Sequence, residues 1–127
     1  MREAAQGARM NGGTTIGYLP GSDEGSANEF IEFACPTGMG ELRNVLVARH
    51  GGAMLSIGLS AGTLSEIYFA LRLGRVVRCL NPWFLSDSQR AREIPVAPGD
   101  DLEVVDDVRG AVDAVVAAAA SRMGRRP

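Results

Sequence analysis

The sequence predicts an α/β fold built on a mainly parallel sheet, and three observations carry that expectation. Short apolar runs of strand length alternate with stretches of helical spacing. The breaks between them are rich in Gly, Pro, Ser, Asn and Asp, which favour turns for separate physical reasons. Hydrophobic residues make up 46% of the 127, enough for a packed core in a chain whose length suits one domain. We expect one domain over 1–122 and a frayed tail over 123–127.

Taken in order, residues 2–11, REAAQGARMN, have helical spacing, and Gly12-Gly13 follow as a stop. TTIGYL over 14–19 reads as a buried strand closed by Pro20-Gly21, and GSDEGSAN as a polar loop. FIEFAC over 30–35 reads as a short strand. Thr37 is placed to cap a helix over 39–50, and AMLSI over 53–57 is the next strand. A helix over 62–73 ends at Gly74, followed by a strand RVVRCL over 75–80. The segment 81–100 reads as irregular, with room for a short strand near Ile94. Leu102–Val105 reads as a short strand. A last helix starts at Asp107 and runs to about Arg122, with Val108, Val112, Val115 and Val116 as its apolar face.

Composition narrows the function. A formal net charge of −2 argues against nucleic acid or an anionic membrane as partner, because a basic excess supplies the attraction in both. No apolar run reaches the roughly 18–20 residues that span a bilayer. The opening MREAAQGARM has no apolar core of a secretory signal. All thirteen basic residues are arginine. Without lysine there is no Schiff-base chemistry and no Walker A loop. Cys35, Cys79 and the single His50 lack metal-ligand spacing, so no metal site is expected, and reduced thiols fit a cytoplasmic protein. His50 reads as a helix-end residue near the last carbonyls. Asp100-Asp101 and Asp106-Asp107 read as solvated acids and a helix cap. Trp83 and Phe84 read as cover for a core edge.

Two turns carry the candidate chemistry. Ligands of open parallel sheets sit beyond the carboxyl ends of the strands. GLSAGT, with Gly58, Ser60, Ala61, Gly62 and Thr63, falls there and opens a helix whose first amides and dipole favour an anion. Ser60 and Thr63 add hydroxyl donors. Glu66 follows about one turn in, either as an acid that stabilises the helix start or as a ligand-directed carboxylate. The second turn is PTGMGELRN, where Thr37, Gly38, Met39, Gly40 and Asn44 follow a strand and enter a helix. Arg43 near a helix N-terminus opposes the dipole, so it is either a solvated side chain or a planar fork for phosphate or carboxylate.

TIGYLPGSDEGSAN, PTGMGELRNVLVAR and AGTLSEIYFALRLGRVV together resemble the Rossmann-like family of the Lonely Guy phosphoribohydrolases and the molybdenum cofactor carrier proteins. The TGMGELRN and GTLSE wording is similar to the bacterial branch near the carriers, and residues 1–80 carry the likeness. The resemblance implies a three-layer Rossmann-like domain, usually a homodimer, that takes a phosphorylated small molecule such as an AMP-like nucleotide or the molybdenum cofactor. It implies that Arg43 and Glu66 would be the catalytic pair of a hydrolase splitting a nucleoside 5′-monophosphate into base and ribose 5-phosphate. Two departures stand out. Gly58-Leu59-Ser60 replaces the family's glycine pair, which adds bulk and removes conformational freedom. Met1–Ala5 also aligns inside a helix that follows the family's first two strands, so the expected architecture lacks those strands. Three readings therefore compete: a binder of a phosphorylated molecule, an active phosphoribohydrolase, and an inactive fragment or structural partner.

Overall fold

The computed structural model describes residues 1–58, 60–80 and 97–124. The strand expected near Ile94, the aromatic pair Trp83-Phe84 and Leu59 lie outside the described residues. Contacts divide the chain into two compact units, Met1–Leu46 and Val47–Pro127.

The first unit opens with α1 (Arg2–Met10), then β1 (Ile16–Leu19) and β2 (Phe33–Pro36), which pair in parallel from Ile16 opposite Phe33 to Leu19 opposite Pro36. Both strands are shorter than the sequence suggests. Thr14 and Thr15 stay outside β1 because Thr15 acts as a staple. Its hydroxyl donates to the Phe30 carbonyl, and its own carbonyl accepts the Phe33 amide at 3.0 Å. Phe30 and Ile31 form a turn on Asn28 instead of starting β2, with the Ile31 amide on the Asn28 carbonyl and the Phe30 amide on its Oδ1. Ion pairs Arg2–Glu29 and Arg9–Glu32 tie α1 to that turn, and Arg2 also lies 4.9 Å from the Phe30 ring centroid. The helix expected over 39–50 forms in two pieces, a 3₁₀ turn over Gly40–Arg43 and α2 (Asn44–His50).

The second unit contains β3 (Met54–Ile57), α3 (Ala61–Arg72), β4 (Val77–Leu80), β5 (Leu102–Val105) and α4 (Val108–Met123). Its three strands among the described residues are all parallel in the order β3-β4-β5. Central β4 is the most buried, as a strand covered on both faces must be. Period-2 alternation sends Met54, Val77, Cys79, Leu102 and Val104 to one face. There they pack on Ile67, Ala70 and Leu71 of α3 and on Ala48. α4 also touches all three strands. Its buried residue, Ala111, lies outside that cluster, which puts α4 on the opposite face and makes this unit three-layered. The parallel α/β expectation therefore holds, with the strands distributed over two sheets.

One expectation fails at α4. Val108, Val112 and Val116 are exposed, and Ala111 is the buried residue. Small side chains let the helix approach the sheet closely: a Cβ on Gly52 would sit 3.0 Å from that of Ala119. Of the four valines expected on the apolar face, Val115 is half-buried and the other three are left facing outward.

Candidate functional site

At the carboxyl end of β2 the chain turns through Thr37, Gly38, Met39 and Gly40 and folds back onto the loop that follows β1. The Thr37 amide donates to the Leu19 carbonyl (3.1 Å), Gly38 to Gly21 (3.0 Å) and Gly40 to Pro20 (3.0 Å). Gly38 and Gly40 reach these carbonyls at φ of 63° and 55°, a region that favours glycine. Thr37 does not cap the helix. Its hydroxyl donates to the Leu19 carbonyl at 2.7 Å and accepts the Met39 amide at 3.2 Å. All four amides are thus engaged within the turn, and an anion bound to one of them would have to displace a hydrogen bond. The sequence missed the part played by Pro20 and Gly21; the Pro-Gly pair signalled a turn, but not which carbonyls would hold its neighbour.

Arg43 closes the 3₁₀ turn and precedes α2. Its Nη1 donates to the Tyr18 carbonyl at 2.8 Å, while its buried Nε has no hydrogen-bond partner among the described residues. A guanidinium carries five donors, so this side chain holds its place with one contact and keeps others to offer. Asn44, next in the chain, is buried at 2% exposure and reaches Glu41 Oε2 at 3.4 Å.

In the second unit, the Gly58 amide donates to the Leu80 carbonyl at 3.1 Å and ends the β3 ladder at φ 70°. Ser60 is the N-cap of α3: its hydroxyl accepts the Thr63 amide at 3.2 Å and lies 3.0 Å from the Thr63 hydroxyl. Both hydroxyls expected to serve a ligand thus also serve the helix start. Thr63 and Leu64 find acceptors on Ser60, whereas the Ala61 amide has no partner among the described residues. The Ser65 hydroxyl donates to the Gly62 carbonyl at 2.7 Å. Glu66 is half-buried on the second turn. Arg43 belongs to the first unit and Glu66 to the second.

The acids resolve into local roles. Asp107 caps α4 through the Arg109 and Gly110 amides, Asp100 accepts from the Ala97 amide, and Asp101 pairs with Arg78. Among the described residues, no group of three His, Cys, Asp or Glu side chains is placed to hold a metal ion, and no helix is long and apolar enough to cross a membrane.

Residues 1–112 match the SLOG cluster4 family, and the chain belongs to it. The chain is similar to the molybdenum cofactor binding protein of the phototrophic bacterium Rippkaea orientalis, at 27% identity and a TM-score of 0.74, over 92% of this chain and 69% of that one. It is also similar to the molybdenum cofactor carrier protein of Chlamydomonas reinhardtii, at 30% identity and a TM-score of 0.69, over 93% of this chain and 69% of that one. An uncharacterized protein of Archaeoglobus fulgidus is 35% identical over 95 residues, which are 75% of this chain and 62% of that relative. The chain thus spans less than two thirds of that relative's length. The carrier-like Rossmann fold expected from the motifs is the fold these structures share.

Proposed function

We propose that this chain binds a phosphorylated small molecule of molybdenum-pterin or nucleotide type through its strand-end loops, as a binding protein and not a hydrolase. The observation that carries the reading is the likeness to two molybdenum cofactor proteins along more than nine-tenths of the chain. Two local features support it. Arg43 offers a planar fork to an oxyanion. The opening turn of α3 offers its dipole and the Ala61 amide. Thr37, Gly38, Met39, Gly40 and Asn44 hold the segment that carries Arg43. Gly58, Ser60, Gly62 and Thr63 shape the entry to α3. Glu66 orients the ligand near that helix start, and the protein acts as a homodimer.

The test has two arms. Protein from molybdate-grown cells is extracted and oxidised, and a fluorescent pterin should appear at a fixed molar ratio. In parallel, AMP at millimolar concentration should raise the melting temperature by mass action on the native state. Absence of both signals would sink the proposal. Arg43→Lys keeps the charge but loses the fork, so affinity should fall about tenfold, or about 1.4 kcal/mol. Adenine release from AMP that disappears in Glu66→Gln with binding intact would instead identify a phosphoribohydrolase.

A further inference from the structure

The second unit gathers arginines at the end of its sheet opposite the α3 entry. Arg49 lies in the last turn of α2, ahead of β3. Arg75 lies between α3 and β4, and Arg122 in the last turn of α4. Hydrogen bonds draw them together. Arg75 Nη2 donates to the Arg49 carbonyl at 2.9 Å, and Arg122 Nη1 to the Gly74 carbonyl at 3.1 Å. Among the described residues none of the three pairs with a carboxylate, although the chain carries more acids than bases. Arg75 Nε is buried without an acceptor among the described residues.

The ordinary reason for cations here is the negative end of the helix dipole. Each helix end supplies about half a negative charge. Three helix ends therefore offset only about half of three guanidinium charges, and a positive excess remains. Burial, then the charges of Arg122 and Arg49, lower the pKa of Arg75. The cluster thus carries a cost that an anion would relieve.

We propose that Arg49, Arg75 and Arg122 form a second anion site, distinct from the strand-end loops, that takes a tetrahedral oxyanion of the phosphate class. Guanidinium forks suit such an anion, free or as a phosphate ester. Arg75 forms the floor, fixed by the Arg49 carbonyl, and the exposed Arg49 side chain is the adjustable wall.

The test follows the arginine Nε–H resonances of the full chain as inorganic phosphate is added, with sodium chloride at matched ionic strength as control. The Arg75 signal should move and saturate with phosphate only. Arg49→Gln, whose side chain makes no hydrogen bond among the described residues, should weaken binding about tenfold while the melting temperature without phosphate stays unchanged. Glycerol 3-phosphate, titrated in the same way, separates the sources: tighter binding points to an ester, equal or weaker binding to the free ion. An Arg75 signal that moves equally with chloride would overturn the proposal, as would phosphate affinity unchanged in both Arg49→Gln and Arg122→Gln.

Discussion

Gly40 sits at φ 55° with open space where a Cβ would go, whereas a Cβ on Gly38 would also approach Ser22 Oγ at 3.2 Å. Gly40→Ala should therefore cost about 1 kcal/mol from backbone strain alone, and Gly38→Ala somewhat more; the midpoints of urea unfolding measure both. A glycine-rich turn was legible in TGMG, but its hydrogen bonds to Pro20 and Gly21 were not, because they join residues that pattern alone does not pair. Arg43 was legible as a cation at a helix start, and its anchor on Tyr18 was not. The hydrogen bond from Arg2 holds the Glu29 carboxyl below its ordinary range. A depressed pKa gives stability that is present above the unfolded-state value and lost as pH falls through the native one. Acid should accordingly loosen the tie between α1 and the turn before β2. Arg2→Ala should remove that part of the pH dependence, which amide exchange in α1 would report.

At the scale of elements, most were legible because each reports a local pattern, and the misses have tertiary causes. In α4 the run of valines suggested an apolar face, yet the helix lies on its alanines, since close approach to a sheet rewards small side chains as much as large ones. Val116, 60% exposed, should accept Lys within about 0.5 kcal/mol. Ala111→Leu, at a fully buried position, should cost about 1–3 kcal/mol by overpacking. Equal effects of the two on unfolding would reverse the assignment of faces. The FIEFAC run misled in another way: its first residues have strand propensity, but Asn28 captures their backbone groups in a turn before a ladder can form.

Across the described residues, the strands fall into a sheet of two in the first unit and a sheet of three in the second, each parallel within itself, and each unit has its own packing. Cys79 reports on the second unit. It is 1% exposed in the core, and burial pushes its thiol up, with the Ser56 hydroxyl opposing. Alkylation of native protein should therefore modify half-buried Cys35 first and reach Cys79 only as fast as the second unit opens. Modification of Cys79 at the same rate as Cys35 would show that the core around α3 does not protect it. Unit by unit, the βα order was legible in the alternation of patterns. The grouping of strands was not, since pairing depends on long-range contacts that periodicity does not encode.

By itself the sequence determined the α/β class, the parallel strands, the two turns and the family resemblance. Each of these rests on local spacing, capping chemistry or short motifs, which neighbouring residues specify among themselves. Only the tertiary structure decided which carbonyls consume the TGMG amides, which face of α4 is buried and how the strands divide into sheets. It also decided that Arg75 reaches the Arg49 carbonyl and Arg122 the Gly74 carbonyl. Those outcomes depend on close approach between segments distant in the chain, where packing volume and hydrogen-bond satisfaction override local preference.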